Sequence, residues 1–214
     1  MALLVMLVIG TYRVFYLIRR KRKRKLTATI HTLISKFINQ PDKRDRQIIR
    51  LEKLITKKWH KQLLMDAAIQ LSYDLSGNYR NCAVEMYKHF HLDKISNRKL
   101  KSKRWDKVIE GIIELSIMQD KEAYPKFLKL LDHPRFQVRK EAKIAIVELE
   151  RTKGLIDMKE RIGIMSEWTF ISILAILHRT PFKLKESQIN ELKTAKNPAT
   201  RRLAAHLDTY SVAY

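Results

Sequence analysis

"YPKFLKLLDHPRFQVRKEAKIAIVELE", residues 124–150, is the stretch that decides how this chain folds. Phe127, Leu128, Leu130 and Leu131 make the inward face of a first helix, and Asp132 with Pro134 then turns the chain. Proline suits the first turn of a new helix, because the N–H it lacks would have no partner there. Val138, Ala142, Ala145, Ile146 and Leu149 follow at helical spacing and mark the stripe of a second helix. The alanines fall where a neighbouring helix must approach closely. The stretch predicts an antiparallel helix hairpin.

Such a hairpin leaves one side uncovered unless a copy of itself stacks there, so copies are expected elsewhere in the chain. A forward shift by 31 takes Arg139 to Phe170, Ala142 to Ile173 and Ala145 to Ile176, inside "EWTFISILAILHR". A shift by 62 takes Arg139 to Arg201 and Ala142 to Ala204, inside "NPATRRLAAHLDTY". Moving back by 31 places Ala142 on Gly111, inside "WDKVIEGIIELSIM". Four helices recur at one spacing.

"LLDHPRFQVRKEAKIAIVEL" resembles a HEAT repeat: a first helix ending in Leu-Leu-Asp, a proline-bearing turn, then Val-Arg and two alanines in the second helix. With its apolar start, basic run, "LSGNYR", "LKSKRW" and "EGIIELSIM", the whole chain resembles bacterial membrane-anchored HEAT-repeat proteins. The resemblance is carried by Tyr124 to Leu149, extends to Trp105–Met118 and Asn197–Tyr210, and fades before residue 100. It implies that Asp132, Arg139 and Arg201 belong to a polar ladder between neighbouring repeats. It also implies a membrane glycosyltransferase as one class of protein partner.

Composition agrees with a helical body. Apolar residues are 45% and charged residues 31% of the 214, and five Gly with five Pro punctuate too sparsely for a many-stranded sandwich or barrel. The one cysteine, Cys82, cannot form an intrachain disulfide, which fits a reducing compartment. The net charge of +22 is unevenly placed. Eight of those charges, Arg13 and the run Arg19, Arg20, Lys21, Arg22, Lys23, Arg24 and Lys25, lie in residues 1–25 without a single acid. In the remaining chain Lys and Arg alternate with Asp and Glu.

That basic run follows an apolar opening, Ala2 to Ile18, whose only formal charge is Arg13. The 17 residues would extend about 25 Å as a helix, slightly short of a hydrocarbon core. Arg13 lies close enough to the charged end to reach headgroups, and Tyr12 and Tyr16 share that end. A secretory signal would carry its cations ahead of the apolar run. The reversed order predicts a single-pass helix with its amino end outside and the body on the cytoplasmic side of the inner membrane. The cations then lie against anionic lipid. The competing reading is a basic nucleic-acid arm, which would not need an apolar run before it.

Other candidate chemistry is thin. No Gly-rich phosphate loop, His-Glu-x-x-His pair or spaced cysteine cluster occurs. Cys82, Glu85 and His89 share one helical face, with His91 nearby, but lack paired-ligand spacing, so no metal site is assigned. Lys99, Lys101, Lys103, Arg104 and Lys107 surround Trp105 in a segment read as a polar connection. They could contact anionic lipid, nucleic acid or an acidic protein face, or be simply solvated. Trp59 and Trp168 fall on helical stripes and are expected in the core.

The sequence thus predicts an all-α chain: an N-terminal transmembrane helix (1–18), a polybasic flank and amphipathic stalk (19–41), a helical part (42–100) and an α-solenoid of HEAT-like helix hairpins (101–214). Arrays of stacked helix pairs present extended surfaces that bind proteins. The expected function is a membrane-tethered, non-enzymatic scaffold without cofactor. The alternative is a nucleic-acid binding or modifying protein.

Overall fold

The computed structural model describes residues 2–74, 78–179 and 185–211, and every regular element among them is helical. The chain divides into two compact units, Met1–Leu92 and Asp93–Tyr214.

The first unit begins with α1, an unbroken helix from Ala2 to Asn39. A 3-10 turn at Pro41–Lys43 leads to α2 (Arg44–Leu54), α3 (Lys58–Asp74) and α4 (Asn78–His89). Ile30, Leu33, Ile34 and Phe37 of α1 are buried together with Leu51, Leu64, Met65, Ala68, Met86 and Tyr87. One face of residues 26–39 therefore belongs to the core of this unit. Arg44 ties three helices: its Nε donates to the Phe37 carbonyl at 3.3 Å, its Nη2 to Cys82 Sγ at 3.1 Å, and its Nη1 lies 3.8 Å from Glu85.

The single-pass helix expected over residues 1–18 is not found in that form. Among the described residues no helix is long and apolar enough to cross a membrane. The side chains of Met1 to Leu4, where that segment starts, lie outside the described residues. From Val5 to Ile18 the helix advances about 21 Å, short of the ~30 Å of a hydrocarbon core, before seven consecutive cations follow.

Residues 44–74 form two helices with a break between them. Leu54 ends α2, Ile55 turns with φ −91° and ψ 68°, and His60 Nδ1 meets the Leu54 carbonyl at 2.9 Å. No Gly or Pro marks this break.

The second unit comprises α5 (Asp93–Leu100), α6 (Trp105–Ile117), a 3-10 turn at Lys121–Ala123, α7 (Tyr124–Leu130), α8 (Phe136–Met158), α9 (Glu167–His178), α10 (Glu186–Lys193) and α11 (Pro198–Ser211). The expected hairpin is α7 followed by the first part of α8. The starts of α6, α8, α9 and α11, at Trp105, Phe136, Glu167 and Pro198, are evenly spaced, at the same interval as the sequence recurrence. The positions matched by that spacing face inward: Ala142, Ile173 and Ala204 are 0% exposed.

Gly111 takes the equivalent place in α6, where a Cβ would stand 2.8 Å from the Ser96 carbonyl oxygen of α5. This close approach makes Asp93–Leu100 a packed helix, not the polar connection its cations suggested. α8 is not continuous either. At Arg151 (φ 44°, ψ −116°) it reverses, and Gly154 then lies so close to Ile146 that a Cβ would meet the Ile146 carbonyl oxygen at 2.7 Å. The short helical segment after the break supplies the first member of the next pair, against α9.

Candidate lipid-facing and docking surfaces

The large apolar side chains that remain exposed fall mainly in two places. On α1, eleven of them between Val5 and Ile18 are about half to three-quarters exposed, from 47% at Ile18 to 72% at Met6. Arg13 and all seven cations from Arg19 to Lys25 are exposed beside them, and no ion pair joins these eight to a carboxylate among the described residues. A helix of this build presents an apolar length and a cationic collar to whatever covers it.

In the second unit the exposed large apolar residues are Trp105 (41%), Phe136 (42%), Ile164 (88%), Trp168 (67%) and Ile171 (55%). Trp105 and Phe136 open α6 and α8 at the same register position, and Trp168 is the second residue of α9. α6 packs on α8 and α8 on α9, so the three aromatics mark equivalent ends of successive neighbours. Trp168, expected in the core, is instead 67% exposed, and Trp59 of the first unit is 44% exposed. Both lie one position off the apolar stripe of their helices, a displacement that helical spacing alone does not reveal.

The turns ahead of Trp105 and Phe136 are built alike. Ser102 Oγ accepts from Arg104 N at 3.1 Å, and His133 Nδ1, at the matching position of the next repeat, accepts from Arg135 N at 3.1 Å. Ser166 caps α9 by accepting from Thr169 N at 3.3 Å, and Asn197 Oδ1 accepts from Ala199 N at 2.9 Å.

The five cations around Trp105 do not form one free patch. Lys99 is paired with buried Glu114, whose other oxygen accepts from Ser96 Oγ at 2.8 Å. Lys107 donates to Glu110 at 2.5 Å, and Arg104 holds Asp106 through bonds of 3.2 and 2.6 Å. Hydrogen bonding from Arg104 holds the Asp106 carboxyl below its usual value. Burial works to raise Glu110, yet Lys107 and Lys99 bring it lower. Lys101 and Lys103 remain exposed without an ion pair among the described residues. The sequence showed the cations but not which of them were already neutralised.

Asp132, Arg139 and Arg201 separate into two roles. Asp132 pairs with Arg161, in the turn that ends α8. Arg139 Nη1 donates to the carbonyls of His133 (2.7 Å) and Pro134 (2.9 Å). Arg201 Nη1 does the same to Ala195 (2.9 Å) and Lys196 (2.7 Å), the equivalent positions two repeats on. These two arginines close their own turns, while Asp132 reaches the next one. Further links span one repeat: Arg179 to Glu148 at 3.3 Å, Lys159 to Glu191, and Arg202 to Glu167 at 2.5 Å.

Cys82 is buried under Arg44, Glu85 faces the same guanidinium, and His89 Nε2 lies 2.8 Å from Glu52 Oε1. Among the described residues no three metal-ligating side chains are gathered. One buried charge stands out. Lys143, 3% exposed, has the Ile164 carbonyl at 3.0 Å as its hydrogen-bond acceptor, and burial, with Arg139 nearby, lowers its pKa.

Compared with protein-family models, with curated proteins and with solved structures, the chain matches none of them.

Proposed function

We propose that this protein is a membrane-tethered, non-enzymatic adaptor of HEAT-like stacked helix pairs. The apolar end of α1 enters lipid, the collar from Arg19 to Lys25 rests on anionic headgroups at the cytoplasmic face, and the exposed aromatic edge of the second unit docks a protein. The observation that carries this reading is where exposed large apolar side chains concentrate: eleven at one end of α1, and five in the second unit around the starts of three successive helices. Exposed apolar surface gathered in this way marks sites of contact. Each cation near the headgroups adds up to ~1 kcal/mol of attraction, and tethering raises the partner's local concentration without a tight intrinsic contact. The even recurrence of helix starts supports the stacked arrangement. A membrane glycosyltransferase remains the partner class to try first.

Two measurements test this. The full-length chain should stay with membranes in a carbonate wash, whereas a chain lacking residues 1–18 should be released with its fold intact, since no described side chain there is buried. Full-length protein in the wash overturns the tether. A photo-crosslinking residue placed at position 168 should give one discrete adduct in intact membranes, lost on Trp105→Ser/Phe136→Ser. The absence of such an adduct overturns the docking edge.

The exposure of Trp105 and Trp168 favours a second reading, in which bases stack on these rings and nearby cations meet phosphates. Asp106 and Glu167, adjacent to the two tryptophans, weigh against it by neutralising Arg104 and Arg202. Oligonucleotide binding that weakens steeply with salt would favour it over the adaptor.

A further inference from the structure

We infer that the first unit holds a single anionic phospholipid in a cleft between α1 and α3, its phosphate on Arg19, Arg22 and Lys23 and an acyl chain along Phe15, Ile18 and Leu63. The inference rests on the membrane attachment proposed above and names the ligand of one part of it. The cleft measures about 490 Å³, within the roughly 300–1,000 Å³ of small-molecule sites. Its α1 wall is Phe15, Ile18, Arg19, Arg22 and Lys23, spaced as one face of a helix, so polarity changes along the wall from apolar to cationic. That gradient matches the long axis of an amphiphile with a negative head.

The opposite wall comes from α3. Leu63 continues the apolar floor, and Trp59 opens onto the cleft with 44% of its surface exposed. An indole at the boundary between apolar and polar surroundings suits the level of the headgroups. Asp66, which accepts from Gln62 Nε2 at 2.8 Å, is the one acid of the lining against the three cations, so the lining stays net positive. A free phosphate or a nucleotide would leave Phe15 and Ile18 facing water. A phospholipid covers them, and the cleft is continuous with the exposed apolar surface from Val5 to Ile18.

The test uses the full-length chain with Trp105→Phe and Trp168→Phe, so that Trp59 is the sole emitter. Vesicles of phosphatidylcholine with a minor fraction of phosphatidylglycerol carry acyl-chain bromine on one lipid or the other, at equal bromine content. Brominated phosphatidylglycerol should quench Trp59 about two-fold more than brominated phosphatidylcholine at equal bound protein, as selection of the anionic lipid requires. Arg19→Gln/Arg22→Gln/Lys23→Gln should abolish that excess. Lys21→Gln/Arg24→Gln/Lys25→Gln, which removes the same charge from positions outside the cleft, should keep it. Equal quenching by the two lipids, or equal loss in both triple variants, overturns the cleft and leaves the attachment standing. A chain that does not sediment with these vesicles overturns both.

Discussion

The two units solve one problem, covering the open side of a helix pair, in opposite ways. In the first, a single 38-residue helix supplies part of the core from its last third and sends its opening half out uncovered. In the second, no helix is that long and uninterrupted; pairs restart at a constant interval, and each second helix packs a small or aliphatic residue against its neighbour. The first arrangement concentrates exposed apolar surface in one rod. The second distributes it as single aromatics at helix starts. Where apolar surface is left exposed therefore depends on whether the covering element is one long helix or a repeated short one, and under the proposed function the two remainders take different occupants, a fluid lipid phase and a shaped protein face.

Breaking the core of either unit gives the largest effect. Phe37 and Phe127 are both 0% exposed, and truncation of either to alanine should cost about 3–5 kcal/mol. Amide hydrogen exchange, followed by peptide, should show the loss of protection centred on the unit that carries the substitution. Equal loss in both units from one substitution would erase the division drawn between them.

Smaller residues sharpen the comparison. Gly111→Ala brings a Cβ within 2.8 Å of a backbone oxygen that cannot swing aside, and should cost about 1–3 kcal/mol through overpacking. Gly10 in the exposed part of α1 has nothing within 4 Å of its Cβ position. There alanine should be neutral or stabilise by up to about 1 kcal/mol, through helix propensity alone. Chemical denaturation of the two variants reads the contrast, and a destabilised Gly10→Ala would mean that this stretch of helix is covered by protein.

The smallest expected change is a gain. Lys143 is a buried ammonium among aliphatic neighbours, and its acceptor, the Ile164 carbonyl, belongs to a residue that is 88% exposed and can be hydrated instead. Lys143→Met should raise stability at neutral pH by about 1–2 kcal/mol. Because burial lowers the pKa of Lys143 in the folded chain, that chain releases its proton before the unfolded chain does. Stability relative to Lys143→Met is thus constant below the lowered value and rises with pH from there toward the ordinary lysine value of 10.5. A difference between the two chains that stays flat through that range would show that the ammonium is not desolvated.

Much of this was legible in the order of residues, and the rest was hidden for identifiable reasons. The hairpin at 124–150 was readable because Asp132 and Pro134 mark its turn and Ala142 and Ala145 its stripe, and the even spacing of helix starts because Arg139 and Ala142 recur as Arg201 and Ala204. The turns after α4 and α6 were not, because His91 and Gln119 adopt φ values of 52° and 54°, a conformation usually signalled by glycine. The reversal at Arg151 was equally silent. Helical spacing mistook Trp59 and Trp168 for core, since one step around a helix moves a side chain by about 100°. The neutralised cations at Lys99, Arg104 and Lys107 depended on acids 2 to 15 residues away, which a one-dimensional charge count does not pair.

The continuity of α1 has a mechanical consequence for the proposed tether. Lys25 ends the collar and Ile30, five residues later, is already immobilised in the first unit, with no hinge between them. At roughly 1.5 Å per residue the gap is about 8 Å. A body mounted on so short and stiff a post cannot drift away from the bilayer or swivel freely above it. Under the proposed tether the first unit is thus held at the membrane surface, within reach of neighbours embedded in the same sheet of lipid.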